Sequence, residues 1–150
     1  MNTNLIKLLL KLKNASSVKK EAINFKCNAS CLELLRLLYR EGFIQSFNVD
    51  SITQLKYEKQ FNTTIFLRYF YNKPIFNSLK IISTPSYSKY LTLRDISKIQ
   101  DRKNVLFLST NQGFFTGLDC KKNKIGGTLF SVSLHKSSIL KASSTFFAHL

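Results

Sequence analysis

The chain is expected to fold as an α+β protein of two small subdomains. N-terminal helices would pack on a short sheet, and a C-terminal, mostly antiparallel sheet would carry short helices. Three observations carry that expectation. Leu5, Leu8, Leu9 and Leu12 recur at the i, i+3, i+4, i+7 spacing of one helical face. Aromatic and β-branched residues crowd into short runs between residues 43 and 71 and again between 104 and 134, the composition of strands. Turn-forming pairs separate the runs, Lys73-Pro74 near the middle and Gly126-Gly127 before the last one.

Taken in order, Leu5 to Leu12 mark a first helix, with Lys7 and Lys11 four apart on the side opposite the leucines. Ala22 to Cys27 alternates weakly and reads as a strand. Asn28 or Ser30 can cap the next helix, and Ser30 with Glu33 fits a capping box. Cys31, Leu34, Leu35 and Leu38 form its buried face, and Gly42 supplies a left-handed stop. Phe43 to Val49, Ile52 to Glu58 and Thr64 to Tyr71 read as three strands. Lys73-Pro74 marks a turn, and the subdomain boundary falls near residues 72 to 79. The N-terminal α/β subdomain is then 1–75 and the C-terminal β-rich subdomain 76–134. In the second half, strand Leu79 to Ile82 leads into a loop around Pro85. A helix runs from Leu93 to about Gln100, and strand Asn104 to Leu108 follows. Ser109-Thr110-Asn111 forms a hydroxyl-rich turn into strand Phe114 to Thr116. A helical turn covers Leu118 to Asn123, and strand Thr128 to Leu134 closes the fold. Residues 135–150 form a C-terminal extension whose apolar residues Ile139, Leu140, Phe146, Phe147 and Leu150 share one helical face.

Charge narrows the partner class. Lys plus Arg number 23 against 8 Asp plus Glu in 150 residues, a formal +15. That excess opposes compaction unless a polyanion neutralises it, so nucleic acid or an anionic membrane leads the candidates. Apolar residues make up 44% of the chain, too many for a disordered one. No run of 18 apolar residues is present to span a membrane. The three cysteines, Cys27, Cys31 and Cys120, are odd in number and lack the paired clusters of a zinc site, so they read as small buried hydrophobes. No Ser-His-Asp, Cys-His or paired-carboxylate pattern stands out, so neither catalysis, metal nor cofactor is expected. Residues 1 to 20 are basic and amphipathic, which is also how a mitochondrial presequence reads.

Clustered hydroxyls on a very basic small protein suit the shallow minor groove of RNA. Ser and Thr both donate and accept hydrogen bonds, so they can meet 2′-hydroxyls and base edges there. The same residues could equally form an ordinary turn that bonds its own backbone. Gly126-Gly127 lacks a phosphate-loop Lys-Ser/Thr and reads as a close approach of backbones.

These segments resemble the bacterial-type small-subunit ribosomal protein eight family. There the hydroxyl turn reads Ser-Thr-Ser-x-Gly, matched here by Ser109-Thr110-Asn111-Gln112-Gly113, and the double glycine precedes Glu, where this chain has Thr128. The loop Ser83-Thr84-Pro85-Ser86-Tyr87-Ser88-Lys89-Tyr90 resembles the family's Ser-x-Pro-Gly-x-Arg-x-Tyr, matching at Ser83, Pro85 and Tyr90. Lys11, Leu12, Lys13, Asn14 and Ala15 resemble the end of the family's first helix. Arg40-Glu41-Gly42-Phe43-Ile44 resembles the end of its second. The likeness covers residues 5 to 134, weakly between 50 and 78, and places Leu5 to Asn14 in the fold instead of in a cleaved presequence.

The resemblance implies a structural, non-enzymatic role: binding and stabilising a helical junction in the central domain of small-subunit ribosomal RNA, beside neighbouring small-subunit proteins. The implied RNA-binding residues are Ser109, Thr110, Asn111, Gly113, Ser83, Pro85, Lys89, Tyr90, Lys7, Lys11, Lys13, Asn14, Gly126, Gly127 and Thr128. Asn111, Ser86 and Thr128 depart from the family pattern, which implies a divergent RNA site. A composition rich in Lys, Asn, Ile and Phe, and a start close to where the family fold begins, suit an organelle-encoded protein of the mitochondrial matrix ribosome rather than of a plastid. Two rival functions stand beside this one: a free-standing RNA-binding regulator, and a basic membrane-surface protein using the Leu5 to Leu12 helix.

Overall fold

In the computed structural model, residues 3–55, 58–84, 86–99 and 104–134 are described. Pro85 and the extension 135–150 lie outside them. The chain divides into two compact units, Asn2–Asn77 and Ser78 onward.

The N-terminal unit begins with α1 (Thr3–Ser17), β1 (Ala22–Cys27) and α2 (Ala29–Glu41). The long strands β2 (Ile44–Leu55) and β3 (Glu58–Leu67) follow, forming an antiparallel sheet of order β1-β3-β2. Its core is the leucine stripe meeting the second helix: Leu8, Leu9, Leu12, Leu34, Leu35, Leu38 and Ile65 are all fully buried, and Leu5 nearly so. Each such side chain contributes roughly 1.5–3 kcal/mol of burial. The Leu5 to Leu12 stripe is thus committed to the core and is not the face that a membrane-surface reading would need. No helix among the described residues is long and apolar enough to cross a membrane.

Local chemistry sets the ends of α2. The Asn28 side chain accepts a hydrogen bond from the Cys31 N–H at 3.1 Å, so Asn28 is the cap and Ser30 lies inside the helix. Gly42 ends the helix at φ 82°, a left-handed position that favours glycine. Two strand expectations are corrected. Asp50-Ser51 does not break a strand; β2 runs through it, with bulges absorbing Gln45 and Asp50. Nor is Lys73-Pro74 the turn. It forms β5 (Lys73–Pro74), paired with β4 (Tyr69–Phe70), and the turn is Tyr71-Asn72, whose φ values of 47° and 61° suit a tight hairpin.

In the C-terminal unit one long strand organises the sheet. β10 (Gly127–Leu134) receives two short strands end to end along one edge, β6 (Leu79–Ile81) at 131–133 and β7 (Lys89–Leu91) at 127–129. Along its other edge lies β8 (Asn104–Thr110), which pairs in turn with β9 (Gly113–Thr116). Helices α3 (Leu93–Ile99) and α4 (Gly117–Asn123) enclose a core of Leu91, Ile96, Leu106, Leu108, Cys120 and Leu129. All three cysteines are fully buried as small core residues, and burial raises the pKa of each thiol, that of Cys31 to about 11.

Both short helices start on a Thr-x-x-Asp box that sequence reading passed over. Thr92 Oγ1 donates to Asp95 Oδ2 at 2.7 Å and accepts from the Asp95 N–H at 3.4 Å. Thr116 and Asp119 repeat the arrangement at 3.0 and 3.4 Å.

Candidate RNA interface

Strand register builds the candidate site. Tyr90 on β7 stands opposite Thr128 on β10, Thr128 opposite Ser109 on β8, and Ser109 opposite Phe114 on β9. Residues directly opposite each other share a face, so the four side chains form one row across four strands, about 14 Å long at the usual strand spacing. Tyr90 is 65% exposed, while Thr128, Ser109 and Phe114 are half-buried. The row therefore sets two hydroxyls side by side between two aromatic rings. Phe114 was missed from sequence; its ring meets Phe130 edge-on at 5.6 Å, so its aromatic anchor lay in a later strand.

The first of the two glycines lets Tyr90 lie low on that row, and the second lets β8 pass close to β10. A Cβ at Gly126 would stand 2.8 Å from the Tyr90 hydroxyl oxygen and 2.8 Å from the Leu91 carbonyl oxygen. A Cβ at Gly127 would stand 2.8 Å from the Ser109 carbonyl oxygen and 2.8 Å from Thr110 Cγ2. Gly126 thus makes room for the tyrosine on the row, while Gly127, one residue out of step with Thr128, makes room for the end of β8 on the opposite face.

The hydroxyl pair belongs to strand β8 and not to the turn, which is Asn111-Gln112. Thr110 Oγ1 donates to the Gly113 carbonyl at 2.9 Å and accepts from the Gln112 N–H at 3.2 Å. Its hydroxyl holds the hairpin closed, as Ser and Thr commonly do in turns. Gly113 sits at φ 118°, where a side chain would be strained. Asn111 is exposed at the tip.

The upstream loop is a small hairpin. Thr84 and Tyr87 exchange backbone hydrogen bonds of 2.9 and 3.1 Å, which leaves Tyr87 60% exposed. Ser83, expected to bind RNA, is fully buried, and its hydroxyl donates to the Leu129 carbonyl. It fastens the loop to β10. Lys89 is also displaced from the row. It pairs with Leu129, one residue out of step with Tyr90, and so lies on the other face of β7. Together with Lys98 it helps hold the Asp95 carboxyl below its usual range, an effect led by the hydrogen bonds from Thr92. Pro85 lies outside the described residues.

The remaining basic candidates belong to α1. Lys7 and Asn14 are exposed, seven apart and hence on one face, and Lys13 is half-buried. Lys11 is already engaged: its ammonium donates to the Asn24 carbonyl at 2.6 Å and lies 5.6 Å from the centre of the Phe25 ring. It borders an open polar hollow of about 720 Å³ lined by Asn24, Lys26, Asp50 and Thr63 among others.

A sequence model described as ribosomal protein S8 matches residues 4–132. The chain belongs to the ribosomal protein S8 family. Among its relatives, small ribosomal subunit protein uS8 of Borreliella afzelii (strain PKo) is 33% identical over 129 residues, covering 81% of this chain and 89% of the relative. The uS8 protein of Vesicomyosocius okutanii is 29% identical over 127 residues, covering 85% and 93%. That of Borrelia turicatae is 30% identical over 123 residues, covering 81% and 89%. The family match takes in the whole Tyr90–Thr128–Ser109–Phe114 row and stops before the extension 135–150.

Proposed function

We propose that the protein is a structural constituent of the small ribosomal subunit, docking its C-terminal unit on a helical junction in the central domain of small-subunit ribosomal RNA during assembly and translation. The observation that carries this reading is the row in which Tyr90, Thr128 and Ser109 stand abreast, with the tip of the Tyr90 ring over the bare backbone of Gly126. A strip of two adjacent hydroxyls framed by aromatic side chains suits a wide, shallow minor groove. The two hydroxyls would meet 2′-hydroxyls and base edges, and Tyr90 would stack on an exposed base. Asn111 would reach the adjoining backbone from the hairpin tip. Lysines supply the attraction that precedes this readout. Lys122 and Lys124 are exposed close in sequence to Gly126, and the N-terminal unit has its own exposed Lys7 and Asn14 on α1, with Lys13 half-buried beside them. Thr110, Gly113 and Ser83 shape the strip from behind. The role is architectural, and family membership supports a non-enzymatic part.

Small ribosomal subunits are the place of action in this reading, and the composition rich in Lys, Asn, Ile and Phe supports a mitochondrial ribosome. Co-sedimentation tests both parts. The tagged protein should travel with small subunits of purified mitochondria at moderate salt. Recovery only in the soluble fraction would refute the ribosomal role, and recovery only with another compartment's ribosomes would refute the location.

A further inference from the structure

Helix α2 carries a cluster that the C-terminal strip does not use. Arg36, Tyr39 and Arg40 lie at i, i+3 and i+4 on its outer surface, and all three are exposed. Tyr39 is 55% exposed although it is aromatic, and its ring meets Phe47 of β2 at 6.3 Å and 78°, an edge contact that fixes it without covering it. Val49, 45% exposed, continues the apolar floor. The chain has only five arginines against 18 lysines, and two of the five flank this tyrosine. Arginine is the cation whose planar head stacks on bases and grips phosphate in a bidentate fork. Arg40 also meets Glu41 at 3.4 Å, and its guanidinium, exposed on the solvent side, can turn to a phosphate.

We propose that the outer face of α2 is a second RNA contact, in which Tyr39 stacks on an unpaired nucleobase while Arg36 and Arg40 hold the phosphates on either side. The inference rests on the reading of the protein as an RNA binder and adds a single-strand site on the N-terminal unit. A protein strand adding to the edge of β2 fits less well. The bulges at Gln45 and Asp50 leave only residues 46–49 in regular register beside the cluster, and bulges of this kind blunt an edge. Charge points the same way, since a chain of net +15 complements a polyanion.

The chain contains no tryptophan, which supplies a clean reporter. The variant Tyr39→Trp, titrated with small-subunit ribosomal RNA, should lose indole fluorescence as the ring stacks on a base. Tyr39→Leu keeps an apolar contact with Phe47 and should weaken binding about tenfold. Arg36→Gln combined with Arg40→Gln should lower the slope of log affinity against log salt by about 1.4. Tight RNA binding by Tyr39→Trp with undiminished emission would overturn the stacking site while leaving the C-terminal strip intact. If the unaltered protein does not bind the RNA, the underlying reading fails and this site with it.

Discussion

The hydroxyl oxygen of Tyr90 lies 2.8 Å from the point where a Cβ of Gly126 would stand, so the far end of the ring rests over backbone that carries no side chain. That relationship joins two motifs some 35 residues apart in sequence. It explains why a tyrosine and a glycine serve one surface. The tyrosine supplies an exposed aromatic edge, and the glycine lets it lie low enough to stand in line with Thr128 and Ser109.

The first prediction separates the two glycines. Gly126→Ala meets the flexible tyrosine tip, which can tilt away, and also the Leu91 carbonyl, which cannot, so it should displace Tyr90 and cost some stability as well. Affinity for small-subunit ribosomal RNA should fall more than stability does. Gly127→Ala meets the Ser109 carbonyl and should force β8 and β10 apart, costing about 1–3 kcal/mol of stability. Thermal melts and filter binding on both variants check this. Equal loss of stability with equal affinity would contradict it.

The second separates Ser109 from Thr110. Thr110's hydroxyl closes the hairpin onto Gly113 and Gln112, so Thr110→Ala should lower the melting temperature. Ser109 stands in the row itself. Ser109→Ala should cost about 0.5–1.5 kcal/mol of RNA affinity with the melting temperature unchanged. The salt slope should stay the same in both, because no charge is removed. The reverse assignment of the two effects would show that the hydroxyl of Thr110 makes the RNA contact.

Much of this arrangement was legible in sequence, and the misreadings have physical causes. Period and caps revealed α1 and α2, since a stripe of four leucines and a glycine stop are local signals. The middle strands were broken too early because Asp50-Ser51 looks like a turn, while a bulge absorbs Asp50 without ending β2. Ser83 was read as an RNA contact because it matches the family loop together with Pro85 and Tyr90. Nothing local reveals that it is buried against Leu129, forty-six residues on. Phe114 and the alignment of Tyr90 with Ser109 depend on register, which only pairing through β10 creates.

The third prediction concerns α1. Lys7 is exposed and free of the contacts that engage Lys11, whose ammonium is held at the Asn24 carbonyl beside Phe25. Lys7→Ala should lower the salt slope of RNA binding by about 0.7–0.9 and leave the fold unchanged. Lys11→Ala should do less to the slope and more to the packing of α1 on β1. Identical slopes for the unaltered protein and Lys7→Ala would show that this face of α1 does not meet RNA.

The last prediction is a pH dependence. Asp95 accepts hydrogen bonds from the Thr92 hydroxyl at 2.7 Å and the Thr92 N–H at 3.2 Å, and these hold its carboxyl below the usual value, with Lys98 and Lys89 assisting. A carboxyl whose folded pKa is lowered stabilises the fold above its unfolded pKa, near 3.8, and that contribution is lost as pH falls through the lower folded value. The box fixes the start of α3, and α3 follows directly on the strand that carries Tyr90. Asp95→Asn should therefore melt lower than the unaltered protein at neutral pH, with the difference shrinking as both are taken into acid. Thr92→Val should remove part of that acid-dependent difference, because it deletes the hydroxyl that bonds the carboxylate while the backbone N–H of residue 92 stays. A difference between the unaltered protein and Asp95→Asn that stayed constant from neutral pH to pH 3 would show that the ionised carboxylate is not what holds the cap.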